Sequence, residues 1–392
     1  MRIGYLVPEF PGQTHAFFWR EQLALQNQGC EVTLLSTRKP PIDACAHAFR
    51  DEARRRTSYL LPPGPLALTQ GFRALASAPV RKYFASLPGS AVKRIGLGAA
   101  VSVAASRLAS LCAASGVEHL HVHSCANAAH VAAVCHLSGG PPFSLTLHGD
   151  LDVYGDAHAQ KFAQAKFVSV VTEALRSQVM ERLGRSAEFL PVIRMGVDTA
   201  AFAPRQRTDS SRFLVVTVAR LNHTKGHVYA LEAVRRLVSE GIPIEYKIAG
   251  SGPEEAAIRD HIGRLELAGH VEMLGSLAED AVKELLGRAD AFLLTSFGLG
   301  EAAPVSVMEA MASGVPVVSS RIGGTAEMID DGVDGCLVGQ RDVDGIASAL
   351  RSLAADPALC RALAERARVR AQADFDFNRN AARLLREIQR VH

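Results

Sequence analysis

The sequence predicts an α/β fold made of two Rossmann-like domains, each with a doubly wound parallel sheet, facing each other across a cleft. One observation is the opening order: strand Ile3–Val7, a turn containing Pro and Gly, a helix from about Thr14 and a second strand from Glu31. Another is that this order restarts at Phe213–Val218, an apolar run typical of a parallel strand buried on both faces. The length of 392 residues suits two or three domains.

Local patterns of apolar residues place the remaining elements. In the first half, short apolar runs predict strands at His119–His123, Phe143–Leu147 and Phe167–Val171. In the second half, the alternating patterns predict helix Val228–Glu240, strand Ile244–Ile248, helix Glu254–Leu267, strand Val271–Leu274, helix Asp280–Arg288, strand Ala291–Thr295, helix Val305–Ser313, strand Pro316–Ser319, and helices Val343–Ala354, Pro357–Asp374 and Asn378–Val391. We therefore place an N-terminal domain at 1–195 and a C-terminal domain at 196–375, with a Pro-, Arg- and Ser-rich linker at 197–212.

The composition is that of an ordinary globular protein, with 48% apolar and 21% charged residues. The seven cysteines are an odd number without a C-x-x-C pair, which favours reduced thiols in the cytoplasm over disulfides or a zinc site. The N-terminal apolar run is too short for a signal peptide. The Ala-rich stretch Leu97–Gly116, interrupted by Arg107, is interpreted as a buried or amphipathic helix. We expect a cytoplasmic protein.

Two cations follow the first strand of the C-terminal half. Arg220 and Lys225 project from the carboxyl end of that strand, where open α/β sheets bind ligands. Such a pair suits a diphosphate, because Arg can bind two oxygens and Lys acts as a point charge. For this pair alone, a solvated loop remains the alternative. Gly250 follows the next strand and permits close backbone approach to a ligand, although a plain strand-to-helix turn has the same pattern.

A pair of carboxylates marks the helix that is predicted after strand Ala291–Thr295. Glu301 lies just before the helix N-terminus, whose free N–H groups and partial positive charge attract an anion. Glu309 lies eight residues later in an otherwise apolar helix, where an unpaired carboxylate is costly to bury. Exposure to solvent is the alternative for Glu309. Because paired carboxylates can accept hydroxyl groups, we predict that Glu301 binds a sugar and Glu309 binds a ribose.

The histidines of the first half are open to two interpretations. His148 follows strand Phe143–Leu147 at the ligand edge of the sheet, so a ligand contact and a structural role are weighed evenly. His121 and His123 share one face of their strand. We favour a structural role for both, since a metal site would need a third ligand.

A basic run without acidic residues extends from Ala53 to Val117. Its nine cations are Arg54, Arg55, Arg56, Arg73, Arg81, Lys82, Lys93, Arg94 and Arg107. Apolar and aromatic residues are interleaved, so the run is either a solvated face or a surface for anionic lipid or a lipid-diphosphate acceptor at the inner face of the plasma membrane. We expect no nucleic-acid partner, because no recognised nucleic-acid-binding fold accompanies the charge.

Together these motifs resemble the retaining glycosyltransferases of family 4, which have the GT-B fold. The resemblance covers nearly the whole chain and depends on a series of motifs at matching spacings. They are Gly196-Val197-Asp198, Arg220 with Lys225-Gly226, Gly250-Ser251-Gly252-Pro253-Glu254, the Glu301/Glu309 pair, Gly314-Val315-Pro316, Gly323-Gly324 and Glu327. The opening residues 7–14 and the segment 121–154 are similar, more narrowly, to bacterial exopolysaccharide glycosyltransferases of the colanic-acid type.

The resemblance implies a role for each motif residue. Arg220 and Lys225 would hold the diphosphate of a UDP-sugar or GDP-sugar donor and stabilise it as the leaving group, without a metal ion or other cofactor. Backbone N–H groups at the helix start would contact sugar hydroxyls and phosphate, at Ala302, Ala303, Pro304 (which itself has no N–H) and Val305. Gly12 would let the first domain approach the donor, and His148 would lie near the reacting sugar. The last helix, 376–392, would pack back on the first domain.

The sequence departs from the family pattern directly after Glu301. Ala302 and Ala303 stand where relatives have a Gly and an aromatic residue, so the donor sugar is not specified. The acceptor is expected to be a carbohydrate or a polyprenyl-diphosphate-linked saccharide. The alternative function is a non-catalytic nucleotide-sugar-binding protein of a glycan assembly complex. A dinucleotide oxidoreductase is disfavoured, because Pro8–Gly12 follows the first strand where G-x-G-x-x-G would be needed.

Overall fold

The computed structural model describes residues 1–204, 212–299 and 301–392. These residues form two compact units. Unit 1 comprises Met1–Cys45, Phe49–Ile193 and Ala381–His392, and unit 2 comprises Ala46–Ala48 and the described part of Arg194–Asn380. Residues 205–211 of the predicted linker and Gly300 lie outside the described residues.

Unit 1 is built on a six-stranded parallel sheet. Its strands are β1 (Arg2–Glu9), β2 (Glu31–Arg38), β3 (Ser58–Tyr59), β4 (His119–Val122), β5 (Phe143–Leu147) and β6 (Val168–Val170). They lie side by side in the order β3-β2-β1-β4-β5-β6, and every pair of neighbours is parallel. The strand order reverses between β1 and β4, which makes their carboxyl ends the topological switch point of this sheet.

Eight helices of the described residues belong to unit 1. They are α1 (Ala16–Asn27), α2 (Arg50–Arg56), α3 (Pro65–Ala76), α4 (Ala78–Ala85), α5 (Ala91–Ala114), α6 (Asn127–Leu137), α7 (His158–Ala163) and α8 (Glu173–Leu183). Within the described residues, α5 is the one helix whose length and apolar composition would allow it to cross a membrane. It packs against α3 and α6 and buries Val101, Ala105 and Leu108. The predicted buried or amphipathic helix is thereby confirmed.

Unit 2 repeats this plan. Its strands are β7 (Phe213–Val218), β8 (Ile244–Ala249), β9 (Val271–Gly275), β10 (Ala291–Leu294), β11 (Val317–Ser320) and β12 (Cys336–Val338), all parallel, in the order β12-β11-β10-β7-β8-β9. Its helices are α9 (His227–Ser239), α10 (Glu255–Arg264), α11 (Glu279–Arg288), α12 (Val305–Ala312), α13 (Thr325–Met328), α14 (Val343–Ala355) and α15 (Pro357–Asp374). The last helix, α16 (Phe377–Arg390), begins in unit 2 and continues into unit 1 from Ala381.

The core of unit 2 explains why these segments form its layers. Strand residues Val215 and Tyr246 pack with Leu231 of α9 and Leu350 of α14, and all four are fully buried. Helix starts are fixed locally, as where the Asp356 side chain accepts hydrogen bonds from the first amides of α15. The switch point of this sheet lies between β10 and β7, so the loops after these two strands emerge side by side.

The predicted fold class, two doubly wound parallel sheets, is confirmed. Strands β5 and β7 have the predicted bounds, and most other elements begin or end within a few residues of theirs. The edge strands β3 and β12 were missed, because runs of two or three residues are too short to show a pattern. Helices α3 and α4 were also not predicted, although each begins with a Pro in its first turn.

Candidate functional site

Two loops meet at the switch point of unit 2. One follows β7 and the other follows β10. The amide of Phe297 donates to the carbonyl of Thr224 at 2.8 Å, and the Thr295 hydroxyl donates to the carbonyls of Lys225 and Gly226 at 3.1 and 2.9 Å. These three hydrogen bonds fix the β7 loop on the β10 loop.

Lys225 and Glu301, on these two loops, form an ion pair. The ammonium Nζ of Lys225 contacts Oε2 of Glu301, and the Ser296 hydroxyl donates to the same oxygen at 3.0 Å. Both charged side chains are largely buried, with 14% and 13% of their surfaces exposed. Such a pair is weakly screened by solvent, so it holds the two loops more firmly than a surface pair would.

Glycines allow the backbone to pack tightly around this ion pair. A Cβ on Gly226 would lie 2.2 Å from the carbonyl oxygen of Thr295, and one on Gly250 would lie 1.8 Å from that of Ala219. In the turn after β11, a Cβ on Gly323 would lie 1.7 Å from the carbonyl oxygen of Glu301. All three have positive φ angles, of +66°, +152° and +51°. Any side chain at these positions would displace a loop of the candidate site.

Helix α12 begins immediately after this cluster. Its N-cap is Pro304 and its first residue is Val305, so the amides of Val305 and Ser306 have no acceptor within the helix, while those of Val307 and Met308 bond to the Pro304 carbonyl. Ala302 and Ala303 are buried and bring the chain from Glu301 to the helix start. Glu309 lies on this helix and is 9% exposed. This burial disfavours the alternative of a solvent-exposed Glu309, and its binding of a ribose stays a prediction.

The far end of α12 is held by Arg368, which the sequence did not indicate. The guanidinium of Arg368 donates to the carbonyls of Ala312, Phe202 (2.9 Å) and Thr199 (3.2 Å). Burial lowers the pKa of Arg368 from its ordinary value. A cation at the C-terminus of a helix is favourable for the helix dipole, so Arg368 both anchors and stabilises α12.

Arg220 takes a different position from Lys225. Its side chain is exposed, and its carbonyl accepts a hydrogen bond from Nε2 of the buried His227 at 3.1 Å. Burial lowers the pKa of His227, which favours the neutral ring. The backbone of Arg220 is therefore fixed while its guanidinium extends into solvent. The structure brings Lys225 and Glu301 into contact and leaves Arg220 on the same loop as an exposed cation.

In unit 1, His148 belongs to a buried polar network at the carboxyl end of β5. Its Nε2 lies 3.1 Å from Nδ1 of His123, whose Nε2 lies 3.2 Å from Oε1 of Glu21. Both nitrogens of His121 are hydrogen-bonded, to Ser144 at 2.8 Å and to Thr146 at 2.9 Å. The structural role favoured for His121 and His123 therefore fits the hydrogen bonds that they make.

Burial sets the protonation of this network. It lowers the pKa of His123 and of His148 to about 3, and it lowers the pKa of His119 to about 4. The pKa of His121 is also far below its ordinary value, because of burial and then because of the nearby His123. Burial raises the pKa of Glu21, against the opposing effects of His121 and Tyr5. These histidines are therefore neutral near pH 7.

Gly12 lies in the loop after β1, beside the same switch point. A Cβ there would meet the His15 ring at 2.8 Å, so the position requires a small residue for packing within unit 1. The His15 ring in turn lies 6.3 Å from Phe10 and 5.3 Å from Phe18. The role predicted for Gly12, to let the first domain approach the donor, stays a prediction.

Sequence reasoning missed Ser296 and Tyr154, which contact the predicted site residues Glu301 and His148, and it missed Glu21, which lies beside His123. Ser296 had a visible signal, since it follows a buried strand at the ligand edge. Glu21 lies within α1, where a carboxylate is ordinary, and its partners are Tyr5 of β1 and His123, which directly follows β4. The Tyr154 hydroxyl accepts a hydrogen bond from the His148 amide at 2.9 Å, a contact that only the folded loop reveals.

Comparison with known proteins links unit 2 to one enzyme family. A family model described as glycosyl transferases group 1 matches residues 198–370. The chain is similar to the putative colanic acid biosynthesis glycosyltransferase WcaL of Escherichia coli K12, with 33% identity over 247 residues, 61% of each chain. It is similar to the amylovoran biosynthesis glycosyltransferase AmsK of Erwinia amylovora, with 34% identity, covering 61% of this chain and 59% of that protein. The chain thus spans about three-fifths of the length of these relatives.

Solved structures show the same fold. A glycosyltransferase from Rickettsia africae ESF-5 matches with a TM-score of 0.75 and 16% identity, covering 100% of this chain and 98% of that one. Anabaena Alr3699/HepE in complex with UDP matches with a TM-score of 0.74 and 16% identity, covering 99% of this chain and 100% of that one. At these identities the likeness concerns the fold, which is GT-B.

The contact between Gly323 and Glu301 generates a prediction. We expect Gly323→Ala to lower the thermal midpoint and to weaken ligand binding by unit 2, because the new Cβ would displace the Glu301 carbonyl. The matched control is Gly332→Ala, since Gly332 also has a positive φ, of +74°, but has nothing within 4 Å of its Cβ position. Equal effects of the two substitutions on the midpoint, measured by differential scanning fluorimetry, would contradict the role of this contact.

The buried neutral histidines generate a second prediction. The unfolded chain takes up protons below about pH 6.5, while folded His119 and His123, with pKa values of about 4 and about 3, do not. We therefore expect the free energy of unfolding to fall as the pH decreases from 6.5 toward 4, by about 1.4 kcal/mol per pH unit for each histidine. Urea unfolding at several pH values measures this slope.

A substitution measures how much one histidine contributes to the pH dependence of the free energy of unfolding. His119→Asn should make the pH dependence shallower by about one proton, because the amide can still bond Ser144 but does not titrate. The exposed His223 provides the control substitution, His223→Asn. If His119→Asn unfolds with the parent's slope, the assignment of a buried neutral His119 is wrong.

Proposed function

Because residues 198–370 match the family model of group 1 glycosyl transferases, we propose that this protein is a glycosyltransferase of exopolysaccharide or other cell-surface glycan synthesis. It takes a sugar from a nucleoside-diphosphate sugar and transfers it to a carbohydrate or lipid-linked saccharide. The relatives WcaL and AmsK, named for colanic acid and amylovoran biosynthesis, support the polymer class. A solved relative in fold, HepE, is described in complex with UDP-glucose, which supports a UDP-sugar or GDP-sugar donor.

The observation that carries this proposal is the ion pair of Lys225 and Glu301 beside the start of α12. A cation, a carboxylate and free helix amides are thereby concentrated within one ligand edge. A sugar diphosphate needs all three, because its phosphates are anionic and its hydroxyls donate hydrogen bonds. In this proposal the diphosphate approaches Lys225 and Arg220, while hydroxyls of the sugar replace Lys225 as partners of Glu301.

The chemistry follows from charge. Breaking the bond between the sugar and its diphosphate leaves additional negative charge on the leaving phosphate oxygen. Lys225, Arg220 and the amides of Ala302, Ala303 and Val305 stabilise that charge most when the bond is broken, which lowers the barrier. We propose that these groups act without a metal ion and that the anomeric configuration is retained, as in glycosyltransferase family 4. Glu309 then binds the ribose of the nucleotide.

A non-catalytic nucleotide-sugar-binding protein is the alternative. The two functions differ in turnover, so calorimetry and product analysis on the same preparation distinguish them. Donor binding without a transferred sugar across a panel of lipid-linked and free acceptors would favour the alternative.

One experiment tests both the assignment of Arg220 to the diphosphate and the assignment of Glu309 to the ribose. We expect Arg220→Ala and Glu309→Gln to lower kcat/KM for the preferred donor by about 100-fold or more, because each removes hydrogen bonds to a charged or hydroxyl-rich ligand. The donor is first found by a thermal-shift screen of UDP- and GDP-sugars. Matched controls are the exposed Arg259→Ala on α10 and Glu365→Gln on α15, which should leave kcat/KM unchanged. An unchanged kcat/KM in either site variant would make the site assignment wrong.

We also propose that unit 1 contacts an anionic membrane surface, through a face that we call the α3–α5 face. Helices α3 and α5 pack antiparallel, since a Cβ on Gly71 would lie 2.7 Å from Val103 and a Cβ on Gly98 would lie 3.3 Å from Leu75. The end of α3 therefore lies beside the start of α5. The face comprises exposed residues of α3, of α4 between them, and of the start of α5. They are Leu66, Phe72, Arg73, Arg81, Lys82, Val92, Lys93 and Ile95.

The structure reduces the number of cations in the basic run 53–117 that are available to a membrane. Arg54 donates to the carbonyl of Pro40 at 2.9 Å, and Arg56 pairs with Glu52 and lies 5.1 Å from the Trp19 ring. These two cations are engaged within unit 1. The cations of the α3–α5 face are exposed, as are its apolar side chains, and interfacial binding to anionic lipid uses both kinds of residue.

Reversing the charges of the α3–α5 face tests its role. We expect the triple substitution Arg73→Glu, Arg81→Glu and Lys93→Glu to weaken binding to phosphatidylglycerol-containing vesicles by about 100-fold, since each basic residue contributes about 1 kcal/mol. Co-sedimentation measures the bound fraction. Reversal of the exposed Arg259 and Arg264 of unit 2 is the control. Unchanged co-sedimentation of the triple variant would overturn the membrane proposal.

A further inference from the structure

The turn between β12 and α14, residues 339–341, contacts the loop that carries Glu301. Strand β11 lies between β12 and β10 in the sheet, so this contact crosses the turn after β11. The Gly298 amide donates to Oε1 of Gln340 at 3.0 Å, and Nε2 of Gln340 donates to the Arg321 carbonyl at 2.9 Å. One side chain therefore joins the β10 loop to the turn after β11.

The next residue, Arg341, contacts the β10 loop through Phe297. Its guanidinium carbon lies 4.3 Å from the centroid of the Phe297 ring, which is within the range of a cation–π interaction. Phe297 is 4% exposed, and the rings of His223 and Tyr229 meet its ring edge-on at 5.2 and 5.7 Å. The Phe297 amide donates to the Thr224 carbonyl of the β7 loop. Arg341 thus covers the residue through which the two loops of the candidate site meet.

The backbone of Arg341 is strained. Its φ angle is +61°, in the left-handed region that is unfavourable for a residue with a Cβ atom. Among the described residues, Ala157 and Glu266 are the other non-glycine residues with a positive φ. Glycine would adopt this conformation without strain. A strained residue persists where its surroundings require it, and here the side chain lies on Phe297.

The turn is connected to the core of unit 2. The Asp342 side chain accepts from the Gly345 amide at 2.8 Å and caps α14, which packs against α9 and includes the fully buried Leu350. The Arg321 amide donates to the Val338 carbonyl at 2.9 Å, just before the turn. Gln340 and Arg341 therefore reach the β10 loop from a base that packing and hydrogen bonds hold in place.

We propose that Gln340 and Arg341 are positioning residues that hold the β10 loop in the shape in which Glu301 meets the sugar of the donor. The proposal rests on the proposed function, because it assumes that Glu301 binds that sugar. Both residues act through Phe297 and Gly298 and need not touch the ligand. A displaced Glu301 would misorient the bond that breaks, so the loss should fall on kcat more than on KM.

A contribution to stability alone is the competing interpretation, and Arg341→Gly separates the two. Glycine relieves the strain at this position while the contact with Phe297 is lost, so the thermal midpoint should stay within about 2 °C of the parent's. We expect kcat to fall by about 10-fold nonetheless, with a smaller change in KM. A role in stability alone predicts the opposite, a lower midpoint with the parent's kcat.

Glu266→Gly is the matched control for relief of strain. Glu266 has a φ angle of +56° and is exposed, and it precedes β9, at the edge of the sheet opposite to the candidate site. The control variant should keep the kcat and KM of the parent. A loss of kcat in Glu266→Gly as large as that in Arg341→Gly would overturn the role of the Phe297 contact.

Hydrogen–deuterium exchange of the full chain, without a ligand, measures the hold on the β10 loop directly. Gln340→Met removes both hydrogen bonds and should speed exchange in peptides that cover residues 296–299 by about 5-fold. Gln340→Glu retains an acceptor for the Gly298 amide and should preserve most of its protection. Arg341→Gly should speed exchange in the same peptides, because the Phe297 amide is less firmly held against the β7 loop.

The outcomes distinguish this proposal from the proposed function. Unchanged exchange of residues 296–299 in both Gln340→Met and Arg341→Gly would overturn the proposal whether or not the protein transfers sugar. Faster exchange with the kcat of an active parent would also overturn it. Faster exchange in variants of a parent that turns over no nucleotide sugar would support the hold on the loop, and the proposed function would fail instead.

Discussion

The ion pair between Lys225 and Glu301 is the interaction on which the candidate site of unit 2 depends. It joins the two loops that emerge at the switch point of the sheet, and it places their charges at the start of α12. Opposite charges held together in a largely buried place are stable only if neither partner is removed. In the proposed function, an incoming anion with hydroxyl groups satisfies both partners at once, because its phosphate binds Lys225 and its hydroxyls bind Glu301.

Much of the fold could be predicted because its strands are local, continuous apolar runs. β7 has the predicted bounds, and the loop residues Arg220, Lys225 and Glu301 could be placed at one edge from strand order alone. The pairing of Lys225 with Glu301 could not be predicted, because 76 residues separate them and a side-chain contact depends on how the loops close. The edge strands β3 and β12 were not predicted for a different reason, since runs of two or three residues show no periodicity.

The polar network of unit 1 also depends on contacts between residues that are distant in the sequence, so the sequence alone did not predict it. His119 and His121 alternate with Leu120 and Val122 along β4, a pattern that places the two histidines on one face of the strand but does not name their partners. Both faces are buried, and the histidines are satisfied by Ser144 and Thr146 of the neighbouring strand, which is in register with β4. Only pairing across the sheet reveals this. A buried polar residue is tolerated when its partner is fixed, and here the sheet itself fixes it.

The close approach of Gly323 to the carbonyl of Glu301 has a consequence for engineering. The turn after β11 and the loop after β10 touch through main-chain atoms, and the Gly324 amide also donates to the Ala302 carbonyl at 2.7 Å. Their shapes are therefore matched independently of side chains. A graft that exchanges residues 296–304 for those of a homologue with another donor preference would meet a foreign turn, so residues 321–325 should be transplanted with it as one module.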